Sequence, residues 1–460
     1  MNFWDYSSWA MIIQVGVILC AIMVSNIIRR KVSFIRNSLL PTSIIAGILI
    51  LGLKFIPKVG SFINSDFMEI LTYHCLGLGF VAMTLKSAVK SKDSSKKIVL
   101  FSGITTVNGY LIQAIVGLGI SLILSFTVMK GLYFGAGLLL PMGFGQGTGQ
   151  ALNIGGVLQG YGFEDGKSFG LAVAAIGFLV ACLAGVIYMN ILRKRGKLKV
   201  QEARKEVSNH LNTDIYAPDE APLNEAVDKL TMQFGFVLLV YLMTLGAMWG
   251  LSLLSENYLG NFGVNTLKPL FWGFNFLFGS LFAIVIKKGI VLLRKKKLMN
   301  HTYINDYMMS RLSGFFFDVM IVAGIAAIRL DTLSGLILPL AIICTFGGVA
   351  TFFYVKFICK RIYPNYEQEA FFSIFGMLTG TASTGMILLR EIDPNFETPA
   401  ADNLVLQQFP AILFGAPILI LIPIAGQSIT NALIVYGVII GLFIVYNLIV
   451  LWQHIFKKNK

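Results

Sequence analysis

Charge is what this chain of 460 residues has least of: 37 Lys and Arg and 23 Asp and Glu make up 13% of it, against 56% hydrophobic residues. A soluble domain carries roughly a quarter of its residues as charges, so this chain lacks the polar side chains to cover a globule facing water. Histidine is scarce at four residues, and no His-Glu-x-x-His zinc motif occurs; this argues against an intramembrane metalloprotease. The five cysteines (Cys20, Cys75, Cys182, Cys344 and Cys359) sit singly in apolar runs, which implies neither a disulfide framework nor a metal cluster. The first residues lack the basic stretch and small-residue cleavage site of a signal peptide, so the run from Trp9 reads as a first spanning helix.

Apolar runs are abundant instead. A helix needs about 20 residues to cross the hydrocarbon of a bilayer, and eleven runs approach or exceed that length: 9–28, 39–56, 68–88, 98–126, 169–192, 232–254, 270–286, 313–328, 333–358, 404–424 and 431–452. Two further stretches, 131–160 and 367–391, are each broken by a Gly/Ser/Thr cluster into halves too short to cross, and read as re-entrant hairpins. The expected fold is an all-α integral membrane protein of about eleven transmembrane helices plus two hairpins.

Let the chain alternate sides from an outer amino terminus, and only Lys54, Lys58, Lys130, Lys167, Lys268 and Arg329 fall outside; every other basic residue falls inside. The positive-inside rule then sets the orientation, with the central linker and carboxyl terminus cytoplasmic. The net charge of +14, which in a soluble chain would suggest nucleic acid, becomes a topology signal reinforced by anionic membrane lipid. No nucleic-acid partner is expected.

One long polar stretch, 193–231, reads as a cytoplasmic linker between two halves. Residues 1–192 hold five spans with hairpin 131–160 between the fourth and fifth; residues 232–425 repeat that order with hairpin 367–391; residues 426–460 add one span. An odd number of spans inverts the second half, giving two inverted-topology repeats of five helices whose hairpins enter from opposite sides. Paired broken helices of this kind point to a secondary transporter whose site lies near the midplane, where the tips meet. The plainer alternative is glycine serving close packing between ordinary spans.

The first tip places glycine at alternate positions from Gly143 to Gly149, a pattern expected to interrupt the helix and leave backbone groups free to bind. Thr148 can cap the returning arm, whose N-terminus favours an anion. Gln146, Gln150 and Asn153 can add side-chain hydrogen bonds. The second tip carries Thr379, Thr381, Ser383 and Thr384, hydroxyls that either line the site or bond back to helix carbonyls. Arg390 reads as a cytoplasmic-edge anchor. Asp318 lies within an apolar run, where a carboxylate costs about 2.5 to 3.5 kcal/mol unless it faces an interior, so it marks an ion or proton site or else reaches the cytoplasmic interface. Asn108 and Gln113 are further buried polar candidates, as ligands or as helix-to-helix glue.

Particular residues resemble the sodium:glutamate symporter family over roughly residues 38–424: Pro41 with Ala46 and Gly47, Gln113 with Gly117 and Gly119, Gly145-Gln-Gly-Thr-Gly149 with Tyr161-Gly-Phe163, and Asn365-Tyr366-Glu367 before the second tip. The resemblance implies a bacterial inner-membrane transporter of two inverted five-helix halves, with sodium-coupled uptake of glutamate and no cofactor beyond Na+ as coupling ion. Related folds imply a homodimer with elevator-like motion. On that basis Gln146, Gly147, Thr148, Gly149, Gln150, Thr381, Ser383 and Thr384 are the expected substrate-binding residues, and Asp318, Gly145, Thr379, Asn108 and Gln113 the expected ion-binding ones. The chain departs from the family pattern at Gln146, where histidine is usual, and at Thr381-Ala-Ser-Thr384, which lacks proline. Fold and transport therefore carry over better than glutamate itself, and another small carboxylate stays open.

Overall fold

The computed structural model describes residues 3–33, 35, 40–60, 62–86, 96–196, 198, 228–298, 303–329, 331, 333–393 and 398–456. Most of the expected linker 193–231 lies outside the described residues. Among the described residues there are helices and turns and no strand. The main helices are α1 (Tyr6–Lys31), α2 (Thr42–Leu53), α3 (Ser65–Leu85), α4 (Lys96–Phe126), α5 (Leu139–Gly160), α6 (Gly166–Lys194), α7 (Lys229–Phe262) and α8 (Asn275–Lys295). They continue with α9 (Asp306–Ala327), α10 (Ile337–Ile362), α11 (Glu367–Thr379), α12 (Ala382–Arg390), α13 (Ala400–Leu406), α14 (Gln408–Gly426) and α15 (Ile429–Phe456).

Nine helices among the described residues are long and apolar enough to cross a bilayer, and α2 and α14 contain shorter apolar helices. Hydrocarbon offers no water to pair with exposed amides, so spanning segments must satisfy their backbone internally, as these helices do. Large apolar side chains such as Ile12 on α1, Leu242 on α7 and Ile434 on α15 point outward, a surface that water disfavours and lipid tails cover. The chain is an all-α, multi-pass membrane protein.

The chain forms two compact units. One comprises residues 1–69, 89–203 and 321–460, the other residues 70–88 and 204–320; α3 and α9 contribute to both. The second unit is held by polar pins between apolar helices. Tyr73 Oη donates to the Trp272 carbonyl (2.8 Å), Asn275 Nδ2 donates to the Tyr73 carbonyl (3.0 Å), and His74 Nδ1 pairs with Tyr241 Oη (2.9 Å). Phe80 packs beside them on Phe276 and Phe317.

In the first unit, α4 and the lead-in to α5 meet backbone to backbone. A Cβ on Gly137 would stand 1.8 Å from the Gly117 carbonyl oxygen, and one on Gly117 would stand 2.1 Å from that of Gly137, so neither position admits a side chain. At one end of this unit Glu69 accepts from Lys167 (2.8 Å) and Arg329 (3.2 Å), and Arg329 also reaches Asp66. Beside them Lys54 donates to Ser65 Oγ (2.8 Å) and the Ile328 carbonyl (3.2 Å).

Candidate functional site

The helix α5 runs from Leu139 to Gly160 with one residue out of helical geometry, Gly147, at φ 79° and ψ −170°. The expectation that alternating glycines interrupt the helix broadly is thus corrected: helix continues through Gly143, Gly145 and Gly149. Two of these glycines serve contact instead, Gly143 lying against Val173 and Ala174, and Gly145 against Tyr110. The two arms nevertheless begin and end together. Tyr133 stacks on Phe163 (5.0 Å between ring centres), and Gly426 approaches both Tyr133 and Leu158. The segment is a hairpin with its tip at Gly147.

The second hairpin is α11 and α12, joined by Gly380 and Thr381. Its arms touch where a Cβ on Gly376 would stand 2.8 Å from Gly385 Cα. Thr381 caps α12, its Oγ1 accepting from the Thr384 N–H (3.5 Å).

The helix α6 relates the two hairpins. Near its start Gly166 and Gly170 lie on Gly155 and Ala151 of the first hairpin's returning arm; near its end Gly185 lies on Leu388, and Arg193 donates to the Glu391 carbonyl (3.2 Å) at the base of the second. A helix of 29 residues is about 43 Å long, so the hairpins come in from its opposite ends. Their tips meet partway along. A Cβ on Gly147 would stand 3.3 Å from Thr381 Cγ2 and 3.9 Å from the Gly380 carbonyl oxygen, while one on Gly177 would stand 2.6 Å from the Thr379 carbonyl oxygen.

Each tip thereby brings together the carbonyl end of one short helix and the N–H end of another, which carry opposite partial charges. Around them lie buried polar side chains. Gln113 Nε2 donates to Thr351 Oγ1 (3.0 Å) and to the Leu378 carbonyl (2.7 Å) of the second hairpin. Its Oε1 has no hydrogen-bond partner among the described residues and stands 3.4 Å from a Cβ built on Gly145 of the first. Gln150 (1% exposed) is buried with neither amide atom hydrogen-bonded among the described residues, whereas Asn108 (0% exposed) lies against the hydroxyl of Tyr354. A buried, unpaired amide is costly unless something binds it, at about 1 to 3 kcal/mol per group.

Of the remaining expected residues, Thr148 and Thr384 are fully buried, Gly149 is buried and Gln146 half-buried. Thr379 Oγ1 donates back to the Phe375 carbonyl (2.8 Å), so this hydroxyl serves its own helix. Ser383 belongs to α12, but its side chain lies outside the described residues. Asp318 sits on α9 within the second unit, at an exposed position in line with Gly314 and Phe315. Arg390, at the end of α12, is exposed.

Gly324, Gly177 and Thr351 were not legible as site residues. Gly324 lets Thr148 seat against α9, where a Cβ would stand 2.6 Å from Thr148 Cβ; single small residues in apolar helices carry no local signal. Gly166-Lys-Ser-Phe-Gly170 satisfies the Gly-x-Ser-x-Gly pattern of hydrolases, yet it opens a helix with no preceding strand among the described residues, which is the wrong context for that chemistry.

Apolar helices around two tip-to-tip broken hairpins, with buried polar side chains beside them, define a multi-pass membrane protein with a polar core. No individual curated protein matches the chain. The sequence profile of the sodium/glutamate symporter family matches residues 9–397, and the chain belongs to that family. It is accordingly a transporter of a sodium-coupled class, and symport is not an enzyme activity.

Proposed function

We propose that this protein takes up glutamate or a closely similar small carboxylate with Na+ by alternating access, and that the solute binds where Gly147 faces Thr381. The apposition of the two tips supports this reading best, because it gathers two helix N-termini for carboxylates and two carbonyl ends for a cation. Thr148, Gly149, Gln150, Thr381 and Thr384, with Gln146 at the edge, face the substrate, and Ser383 is assigned to it from the sequence. Gly145, Gln113, Asn108 and the carbonyl end at Thr379 hold Na+. Asp318 contributes a charge from within an apolar helix; its removal in Asp318→Asn tests whether coupling uses it.

The proposed setting is a bacterial inner membrane, with the amino terminus outside, the linker and carboxyl terminus in the cytoplasm, and the protein a homodimer. Two inverted five-helix repeats, 1–192 and 232–425, account for hairpins entering from opposite ends. Each positive charge carried inward contributes about 2.3 kcal/mol per 100 mV, more than a tenfold concentration gradient. An excess of Na+ over substrate charge makes uptake electrogenic.

The test is uptake of labelled glutamate into proteoliposomes. Replacing Na+ by choline should abolish accumulation; full activity in choline, or accumulation driven by a proton gradient alone, would replace sodium by proton coupling. Thr148→Val should lower the initial rate at least about tenfold, the effect of about 1.4 kcal/mol or more from a lost buried hydrogen bond, at unchanged expression. Unaltered kinetics would remove the site assignment.

A further inference from the structure

The end of α8 combines charge and apolar surface in a way the tips do not use. Lys287 is engaged locally: its Nζ donates to the carbonyls of Lys86 (2.5 Å) and Thr84 (3.5 Å) at the end of α3, where a helix leaves its last carbonyls without intrahelical partners. Beyond it the helix projects. Val291, Leu292 and Leu293 are 50%, 53% and 39% exposed, and since successive helical residues point about 100° apart, no one neighbouring surface covers that stretch. The chain leaves α8 through Lys297 at φ 56°, with the Leu298 N–H returning to the Leu293 carbonyl (3.0 Å), a Schellman-type end that keeps Leu298, 70% exposed, beside the last turn. Interleaved with these apolar groups are Lys288, Arg294, Lys295, Lys296 and Lys297, and no acidic residue occurs between 287 and 298.

We propose that the segment Lys288–Leu298 is a binding surface for anionic phospholipid headgroups. Topology alone asks only for basic residues on one side of the membrane. It does not ask for four exposed aliphatic side chains among them, which water disfavours and the boundary between headgroups and acyl chains accommodates. Leucine and valine side chains enter that boundary while the lysine and arginine heads rise to phosphate level, and a neutral headgroup matches the first feature but not the second. The hydrogen bonds of Lys287 to the end of α3 hold the segment in register with a second spanning helix, so headgroup binding stabilises the junction of α3 with α8.

The test uses the purified full-length protein in neutral detergent, with the thermal unfolding midpoint followed during titration with short-chain phosphatidylglycerol, phosphatidylcholine or inorganic phosphate. Phosphatidylglycerol should raise the midpoint and the other two should not. Replacing Lys288, Arg294, Lys295, Lys296 and Lys297 by Gln should weaken the apparent affinity at least about tenfold, while exchanging Lys and Arg among these positions should preserve it. If the Gln variant does not fold, Val291→Ser with Leu292→Ser retains every charge and should still weaken the response. An unchanged response in either variant, equal stabilisation by phosphatidylcholine, or full replacement by inorganic phosphate would overturn the proposal.

Discussion

Gly147→Ala should lower the initial rate of sodium-driven uptake about ten- to a hundredfold while the protein still inserts and purifies as folded material. At φ 79° and ψ −170° the residue occupies a backbone region that is essentially glycine's alone, and holding another residue there costs on the order of 1 to 3 kcal/mol. Contact adds to conformation, because the new methyl group would arrive 3.3 Å from Thr381 Cγ2, tighter than an ordinary van der Waals separation. The helix has two ways to respond. It can keep the break and carry the strain, or it can close into regular helix and take Thr148 and the returning N-terminus away from the second tip. Either lowers the population of paired tips by roughly the factor that strain converts to, at 1.4 kcal/mol per tenfold. Gly160→Ala serves as the control, since nothing stands within 4 Å of its Cβ position and its φ is not positive; it should leave the rate unchanged. A Gly147→Ala protein with parental kinetics would show that the break is not needed for transport.

The same residue shows what could be read before the structure. Apolar runs of span length announced the long helices, because the bilayer leaves the backbone few other solutions; nine of the eleven expected spans coincide with or overlap a helix long and apolar enough to cross, 39–56 and 404–424 hold shorter apolar helices, and 270–286 and 404–424 are each divided between two helices. The clusters at Gly143–Gly149 and Thr379–Gly385 announced both breaks. Which glycine breaks was not legible: at Gly143 and Gly145 the missing side chain makes room for Val173 and Tyr110, and only at Gly147 does it permit a conformation. Sequence records the absence of a Cβ and does not say which of these two uses it has. Asp318 marks the opposite limit. A charge in an apolar run implies either an interior position or the cytoplasmic interface, and α9 is apolar on every side near Asp318, so no periodicity chooses between them; its exposed position comes from packing. Thr351 was missed for a related reason. It matters through Gln113, a partner 238 positions away.

Gln113→Leu should separate the sodium requirement from the substrate requirement. The side chain ties α4 to the second hairpin through the Leu378 carbonyl and reaches toward the first hairpin with an oxygen that has no partner among the described residues. An acceptor that is fully buried and unpaired between two carbonyl-ended helices suits a cation. Leucine of similar size keeps the packing but removes both functions, leaving the Leu378 carbonyl unpaired at about 1 to 3 kcal/mol and deleting one proposed oxygen ligand. The half-saturating Na+ concentration should therefore rise at least about tenfold, as follows from 1.4 kcal/mol or more, whereas KM for glutamate measured at saturating Na+ should move much less. Thr351→Val removes one acceptor of Gln113 and leaves Oε1 in place, so its effect on Na+ should be several-fold smaller. A Gln113→Leu protein whose glutamate KM rises while its Na+ dependence stays parental would move this residue from the ion site to the substrate site.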